Sequence, residues 1–251
     1  MTFVLGNQPV FPPVLLAPLA GITDVPFRNL VQSFGAGLVV SEMVASHEMV
    51  QNKPGVRERA ELGFGIESTS VQIAGCDAYL MAEAARMIEA NGAKIIDINM
   101  GCPAKKVTSG QSGSALMRTP DFALELVEAV VQATSLDVTL KMRLGWDDNS
   151  LNAPEIAKRA EAAGVKMITV HGRTRCQFYK GAADWQAIGR VKRAVSIPVI
   201  ANGDIVDVTS ARQALQQSGA DGVMVGRGAQ GAPWRLAQIA SALYGTPAPK
   251  I

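Results

Sequence analysis

The chain has 251 residues, 48% of them hydrophobic and 5% aromatic, with a formal net charge of +2. That length carries one large domain or two small ones, and the small charge excludes a globally basic nucleic-acid coat. Three scattered cysteines (Cys76, Cys102, Cys176) without a CxxC pair, and two histidines (His47, His171), give neither a disulfide framework nor a metal-ligand motif. A reducing, cytoplasmic setting is expected. Residues 1–10 show no basic stretch leading into an apolar core, and no apolar run reaches the roughly 18 residues of a membrane span, so neither a leader nor a membrane anchor is expected.

Taken in order, residues 14–17 (VLLA) read as a short buried strand closed by Pro18. Asp24 reads as an N-cap and Pro26 as first-turn proline, for a helix carrying Phe27, Leu30, Val31 and Phe34 on one face. Residues 37–43 are a second strand, and 45–64 a mixed, polar helical excursion. A third strand spans 68–73, followed by Asp77 as N-cap of an Ala-rich helix to Glu89. Residues 94–103, KIIDINMGCP, form the fourth strand: β-branched residues carry Asp97 and Asn99 up to a stop at Gly101, Cys102 and Pro103. A long loop occupies 101–114, and a helix begins at Pro120. Strand 137–142 and helix 153–163 come next, then strand 167–170 ending in His171, helix 184–194, strand 197–201, helix 207–217, strand 221–225 and a last helix over about 233–243.

Eight evenly spaced strand–helix units with Gly-closed links predict a parallel (β/α)8 TIM barrel in one domain. A doubly wound open sheet is the alternative. In a barrel, residues just past each strand share one rim, which here collects Pro18, Leu19 and Ala20, Glu42, Gln72, Asn99 with Cys102, Lys141 with Arg143, His171 with Arg173, Asn202, Gly203 and Asp204, and Gly226 with Arg227. Ordinary loop polarity accounts for Lys105 and Arg175. It does not account for Lys141, which continues an apolar strand.

The turns after strands seven and eight, Asn202 with Gly203 and Gly226 with Arg227 and Gly228, are backbone-open and suit a phosphate. Residues 226–231 also spell GxGxxG, but no strand follows and no acidic residue stands about 20 positions on, so a dinucleotide fold is rejected. A phosphate corner, an internal lysine and a thiol across the mouth suit a phosphate-bearing cofactor such as flavin mononucleotide (FMN), with Lys141 near the edge of the ring where negative charge gathers. An ordinary thiol, with a pKa of about 8.5, is mostly protonated at neutral pH and can give a proton. Two other roles stay open for Cys102: a nucleophile, with His171 as its one candidate base, or a small buried hydrophobe.

The segments VLLAPLAGITDVPFR, VVSEM, VQIAG, IIDINMGCPAKKV, GSALM, VTLKMRLGW, ITVHGRT, IPVIANGDI and DGVMVGRGAQGAPW together resemble the tRNA-dihydrouridine synthases, in particular the bacterial nitrogen-regulation-like branch. The likeness spans about residues 12–237, with MGCPxKK after the DIN strand its most specific part. It implies reduction of the C5=C6 bond of particular tRNA uridines with FMN and NADPH. By the same likeness Cys102 matches the proton donor, while Pro18, Leu19, Ala20, Gln72, Lys141 and His171 match flavin contacts. Asn202, Gly203, Asp204, Gly226 and Arg227 match the phosphate end. Asn99 and Arg143 resemble residues that hold the flipped uracil.

The resemblance also implies a helical RNA-binding domain after the barrel. Residues 1–243 then read as the FMN-binding catalytic barrel, and 244–251 as a tail or the start of that domain, with tRNA binding weakened in its absence. Lys105, Lys106, Arg118, Arg173, Arg175 and Lys180 are candidates for a local RNA-facing patch. Three alternatives remain: an FMN barrel acting on a free pyrimidine, a non-catalytic RNA-binding barrel, and a non-redox sugar-phosphate enzyme.

Overall fold

Two three-residue strands, β1 (Phe3–Leu5) and β2 (Gln8–Val10), open the chain as an antiparallel hairpin. The computed structural model describes residues 2–63 and 66–251. After the hairpin the strands are β3 (Val14–Leu16), β4 (Leu38–Val40), β5 (Val44–Ala45), β6 (Thr69–Ala74), β7 (Ile95–Met100), β8 (Asp137–Arg143), β9 (Met167–His171), β10 (Val199–Asn202) and β11 (Gly222–Val225). The sheet is parallel and closes on itself, since β3 pairs with both β4 and β11 and β4 pairs with β6. The two-residue β5 only extends the edge of β6, so the staves number eight and the predicted TIM barrel is borne out.

The helices are α1 (Val25–Ser33), α2 (Ser46–Val50), α3 (Val56–Arg59), α4 (Ala78–Ala90), α5 (Lys105–Thr108), α6 (Pro120–Ala133), α7 (Ala153–Ala162), α8 (Trp185–Ala194), α9 (Val208–Ser218) and α10 (Arg235–Tyr244). Asp24, Asp77, Asp184 and Asp207 each accept the backbone N–H of the third helical residue, filling an otherwise orphaned donor. Two apolar layers result. Outward residues of the staves, such as Ile96, Ile98, Leu140, Met142, Val170 and Val223, pack under the helices. Inward residues at the N-terminal end of the barrel (Leu15, Leu38, Ile95, Met167, Ile200, Met224) pack against Phe3, Leu5 and Val10. The hairpin is thus a plug for the lower mouth, and the cleft lies at the opposite, C-terminal end.

Several expectations are corrected. The second strand stops at Val40, because Ser41 turns its hydroxyl to accept Gln72 N–H. Glu42 is thereby released onto the rim, where its carboxylate takes the N–H of Gly21. The excursion over 45–64 resolves into α2 and α3, with Phe64 outside the described residues. The loop 101–114 contains α5 and the start of a 3-10 turn, Gly113–Arg118. On α1, Leu30 is 45% exposed and Arg28 is buried instead, because Arg28 donates to the carbonyls of Thr23 and Glu61.

Candidate active site

Side chains alternate across a strand, so each stave sends every second residue inward. Above the apolar floor those inward residues are polar: Ser70 and Gln72, Asp97 and Asn99, Thr139, Lys141 and Arg143, Thr169 and His171, and Asn202. Register stacks them side by side, with Gln72 opposite Asp97, Asp97 opposite Thr139, Asn99 opposite Lys141, and Arg143 opposite His171. Burial makes an unpaired polar group costly: Gln72, Asp97, Asn99 and Thr139 form one connected network and Lys141 and Asn202 another, while the Ser70 and Thr169 hydroxyls have no partner among the described residues.

The first network leads to Cys102. Asp97 accepts from Thr139 Oγ1 and from Gln72 Nε2, each at 2.6 Å. Gln72 Oε1 then accepts Asn99 Nδ2 at 2.7 Å, and Asn99 Oδ1 accepts the backbone N–H of Gly101 and Cys102. The carbonyl of Cys102 is held from the other side by Ser114, through its N–H and its hydroxyl. Both backbone polar groups of Cys102 are therefore fixed, while its half-buried side chain lines a cleft of about 340 Å³ with Gln72, Asn99, Lys141, Arg143 and His171.

The second network centres on Lys141. Its Nζ donates to Asn202 Oδ1 at 3.1 Å, and Asn202 in turn donates to the Met224 carbonyl. Burial lowers the Lys141 pKa to about 8, with Asp97 opposing the shift and Arg143 adding to it. Burial also raises Asp97, against the hydrogen bonds from Thr139 and Gln72 and the charge of Lys141. His171 is pressed well below an ordinary imidazole by burial and by Lys141, Arg143, Arg173 and Arg227. An arginine only donates, so the 3.3 Å contact from Arg173 makes His171 Nε2 an acceptor and leaves its proton on Nδ1. Among the described residues no hydrogen bond joins His171 to Cys102.

A second cleft, of about 270 Å³, continues from the first through Pro18, Leu19, Lys141, His171 and Tyr179, and ends at Asn202, Gly203, Asp204, Gly226 and Arg227. Gly203 is left-handed (φ 111°), and its absent Cβ leaves room for the His171 ring. Among the described residues the backbone N–H groups of Gly203 and Gly226 meet no backbone acceptor. Asp204 faces cations: it pairs with both terminal nitrogens of Arg173 (2.6 and 3.0 Å) and with Arg227 at 3.3 Å. Burial raises its carboxyl, but the Arg173 bond, the Ala183 N–H and the two arginine charges outweigh that and hold it low.

The predicted site residues thus come together around two joined clefts. Ala20 lines the Cys102 end beside Pro18 and Leu19. Arg143 is buried, and donates to the carbonyls of Gly101, Thr174 and Phe178, which ties the loops after β7 and β9 to the end of β8. Arg173 leaves the proposed RNA-facing patch, since it is 1% exposed and spent on Asp204. Three residues were missed. Asp97 and Thr139 share the inward parity of Asn99 and Lys141, which was the available signal. Tyr179 sits on a loop and lies near Arg143 and Arg227 through its ring (5.6 and 5.1 Å), with no comparable pattern to reveal it. Among the described residues no group of three or more His, Cys, Asp or Glu could hold a metal ion, and no helix is long and apolar enough to cross a membrane.

In solved structures the chain superposes on histamine dehydrogenase from Rhizobium sp. 4-9 with a TM-score of 0.72 at 14% identity, covering 96% of this chain and 47% of that one. It superposes on 2-naphthoyl-CoA reductase with a TM-score of 0.71 at 15% identity, covering 98% and 52%. At such identities these matches speak for the fold alone. By sequence the chain is 69% identical to a "Probable tRNA-dihydrouridine synthase" of Rhodobacter capsulatus, over the whole of this chain and 78% of the relative. It is 50% identical to "tRNA-dihydrouridine synthase B" of Pseudomonas syringae pv. tomato, over 94% of this chain and 70% of the relative. The family model described as Dihydrouridine synthase (Dus) matches residues 15–251, which takes in the motifs that carried the resemblance except Val14, and the chain belongs to the dihydrouridine synthase family.

Proposed function

We infer that the chain is a cytoplasmic tRNA-dihydrouridine synthase that binds FMN across the joined clefts, takes reducing equivalents from NADPH and reduces the C5=C6 bond of tRNA uridines. One observation carries this reading: the Cys102 side chain and the buried Lys141 ammonium line one cleft, which continues to Gly203 and Gly226, whose N–H groups meet no backbone acceptor among the described residues.

The residues present fit a flavin mononucleotide. Lys141 brings three donors into the barrel, of which the described hydrogen bonds use one, on Asn202. That leaves donors for an electron-rich ring edge. The N–H groups of Gly203 and Gly226, with Arg227, suit a phosphate dianion. Asp204 serves this end by fixing Arg173 and Arg227 rather than by meeting an anion itself. Pro18, Leu19, Ala20, Gln72 and His171 line the path between the two ends. Bound there, FMN supplies the hydride.

The chain's own residues supply the rest. Cys102 holds a proton at Sγ for the base carbon opposite the hydride. Its backbone is fixed on both sides, so the thiol is presented rather than searched for. Asn99 and Arg143 flank it and hold the uracil. The base must leave its stack to reach them, because a stacked uracil cannot present a face inside a barrel. Neutral His171, a hydrogen-bond partner of Arg173, has no proton-abstracting link to Cys102, which favours an acid role for the thiol over a nucleophilic one. Residues 1–243 act as the catalytic barrel, and 244–251 as a tail or the start of a helical RNA-binding domain.

The test is the visible spectrum of the purified chain, release of the chromophore by heat, and anaerobic reoxidation of the NADPH-reduced protein. A yellow protein that releases FMN and is reoxidised by tRNA is expected. A colourless protein that takes up no FMN overturns the redox reading, and reoxidation by free uracil or orotate, but not by tRNA, overturns the substrate.

A further inference from the structure

We propose that Arg118 and Arg175, stacked on Trp146, clamp the phosphodiester backbone of the RNA strand that delivers uridine to Cys102. This rests on the tRNA reading above and names a contact outside the cleft.

The three residues come from three consecutive rim loops. Arg118 ends the 3-10 turn Gly113–Arg118 after β7, Trp146 follows β8, and Arg175 follows β9. Those strand ends carry Cys102, Lys141 with Arg143, and His171. The guanidinium carbons of Arg118 and Arg175 lie over the Trp146 ring, 4.1 and 4.8 Å from its centroid. The loops are tied to one another: Arg175 N–H bonds Gly145 O, Cys176 N–H bonds Trp146 O, and Asn152 Nδ2 bonds Met117 O. The same 3-10 turn holds the Cys102 carbonyl through Ser114. Two positive charges are therefore placed by fixed backbone and one shared ring.

Stacking uses the faces of a guanidinium and leaves its N–H edges for an acceptor in the plane. Among the described residues neither arginine enters an ion pair, and Arg175 Nε is buried without a hydrogen-bond partner. A buried donor left open can take an acceptor that the folded chain does not itself supply. The neighbouring acids do not supply it. Asp147 turns its carboxylate back on its own loop, accepting from Asn149 N–H and Ser150 Oγ, and Asp148 points to solvent. Arg173 and Arg175 both press on the charge of Arg143, and of those two only Arg173 has a carboxylate. The rim beside Cys102 thus holds a surplus of cations with free edges. A phosphodiester offers two anionic oxygens that match such edges. Neither Arg118, Trp146 nor Arg175 lines the two joined clefts. An anion held there while a base occupies the cleft belongs to the same polynucleotide.

The test is kcat/KM for anaerobic reoxidation of the reduced chain by tRNA, at several salt concentrations, for the parent, Arg118→Gln and Arg175→Gln. Each variant is expected to lose roughly 3- to 10-fold in kcat/KM at low salt. Each should also flatten the slope of log(kcat/KM) against log[salt] by roughly 0.7–0.9, the share of one phosphate contact. The flavin spectrum should stay that of the parent. Parental slopes in both variants overturn the clamp while leaving the tRNA reading intact. So does a raised KM for NADPH with an unchanged salt slope, which would assign the arginines to the reductant. A parent chain that retains FMN yet is never reoxidised by tRNA overturns the functional reading and the clamp with it.

Discussion

The carboxylate of Asp97 accepts the side-chain N–H of Gln72 at 2.6 Å inside the barrel, and this bond decides which way the Gln72 amide faces. With its nitrogen toward Asp97, Gln72 must offer its oxygen to Asn99 Nδ2, and Asn99 must then offer its own oxygen to the N–H groups of Gly101 and Cys102. A buried acceptor thus sets the position of a thiol three hydrogen bonds away. Asp97→Leu keeps the shape but removes both acceptor oxygens, leaving Gln72 Nε2 without its partner. Turnover on tRNA is expected to fall roughly 10- to 100-fold as the Cys102 loop loses its fixed geometry. Stability is expected to fall by about 1–3 kcal/mol for the unmatched polar group. Single-turnover reoxidation and urea unfolding measure the two effects, and parental reoxidation with lowered stability would reduce Asp97 to a packing role.

Cys102→Ala removes the proton at Sγ and leaves the backbone bonds of residue 102 in place. Flavin content is expected to hold while reoxidation by tRNA slows by roughly 10²- to 10⁴-fold, the usual worth of a positioned acid. Rapid-mixing absorbance after NADPH reduction reads both. An unchanged rate would take the acid role away from this residue.

The barrel was legible because its outward residues are β-branched and apolar and its main helices begin at aspartate caps, as at Asp24 and Asp77. The polar interior was half legible. In IIDINM and TLKMR the polar residues fall on every second position, yet reading each strand as one apolar run hid that Asp97 and Thr139 share the face of Asn99 and Lys141. Lys141, Asn99 and His171 were found because they lie at or within two residues of the ends of their strands; Asp97 and Thr139 lie deeper and were not assigned. The hairpin at the lower mouth left little trace, since its strands are three residues long, one contains Pro9, and its burial comes from the barrel rather than from its own pattern.

Leu5 is 1% exposed in that hairpin and packs into the barrel floor, on the opposite end from the cleft. Leu5→Ala is expected to cost about 2–5 kcal/mol of stability, the range for a buried leucine whose cavity cannot collapse. The flavin spectrum and tRNA reoxidation of the folded fraction should remain parental. A cost near zero in urea unfolding would show that the plug contributes nothing to the barrel.

Arg173 is buried, and Asp204 is its carboxylate partner, so Asp204→Asn leaves a charge inside the protein without its counter-ion. The cost is expected at roughly 2–3 kcal/mol, reduced from a fully buried pair because Asp204 is about a third exposed. FMN affinity should fall as well, since Arg227 loses the same partner. The Asp204 carboxyl is held below its ordinary 3.8, so its contribution is complete above that pH and is lost as pH drops through the lowered value. Acid unfolding of the parent and Asp204→Asn should therefore converge at low pH.

Lys141 carries the sharpest pH dependence. With a pKa of about 8 it is charged at neutral pH and loses its proton just above, so flavin reduction by NADPH is expected to slow as pH rises through about 8. Lys141→Met should be slow throughout and lack that limb. Stability runs the other way. The unfolded lysine keeps its proton to about 10.5 while the folded one releases it near 8, so between those values the unfolded state binds more protons and stability rises with pH. In flavin-free protein, Lys141→Met should accordingly be more stable than the parent near neutral pH, with the gap closing as pH approaches 10.5. Urea midpoints at several pH values measure it, and a gap that widened with pH would mean that the folded protein holds this ammonium more firmly than water does.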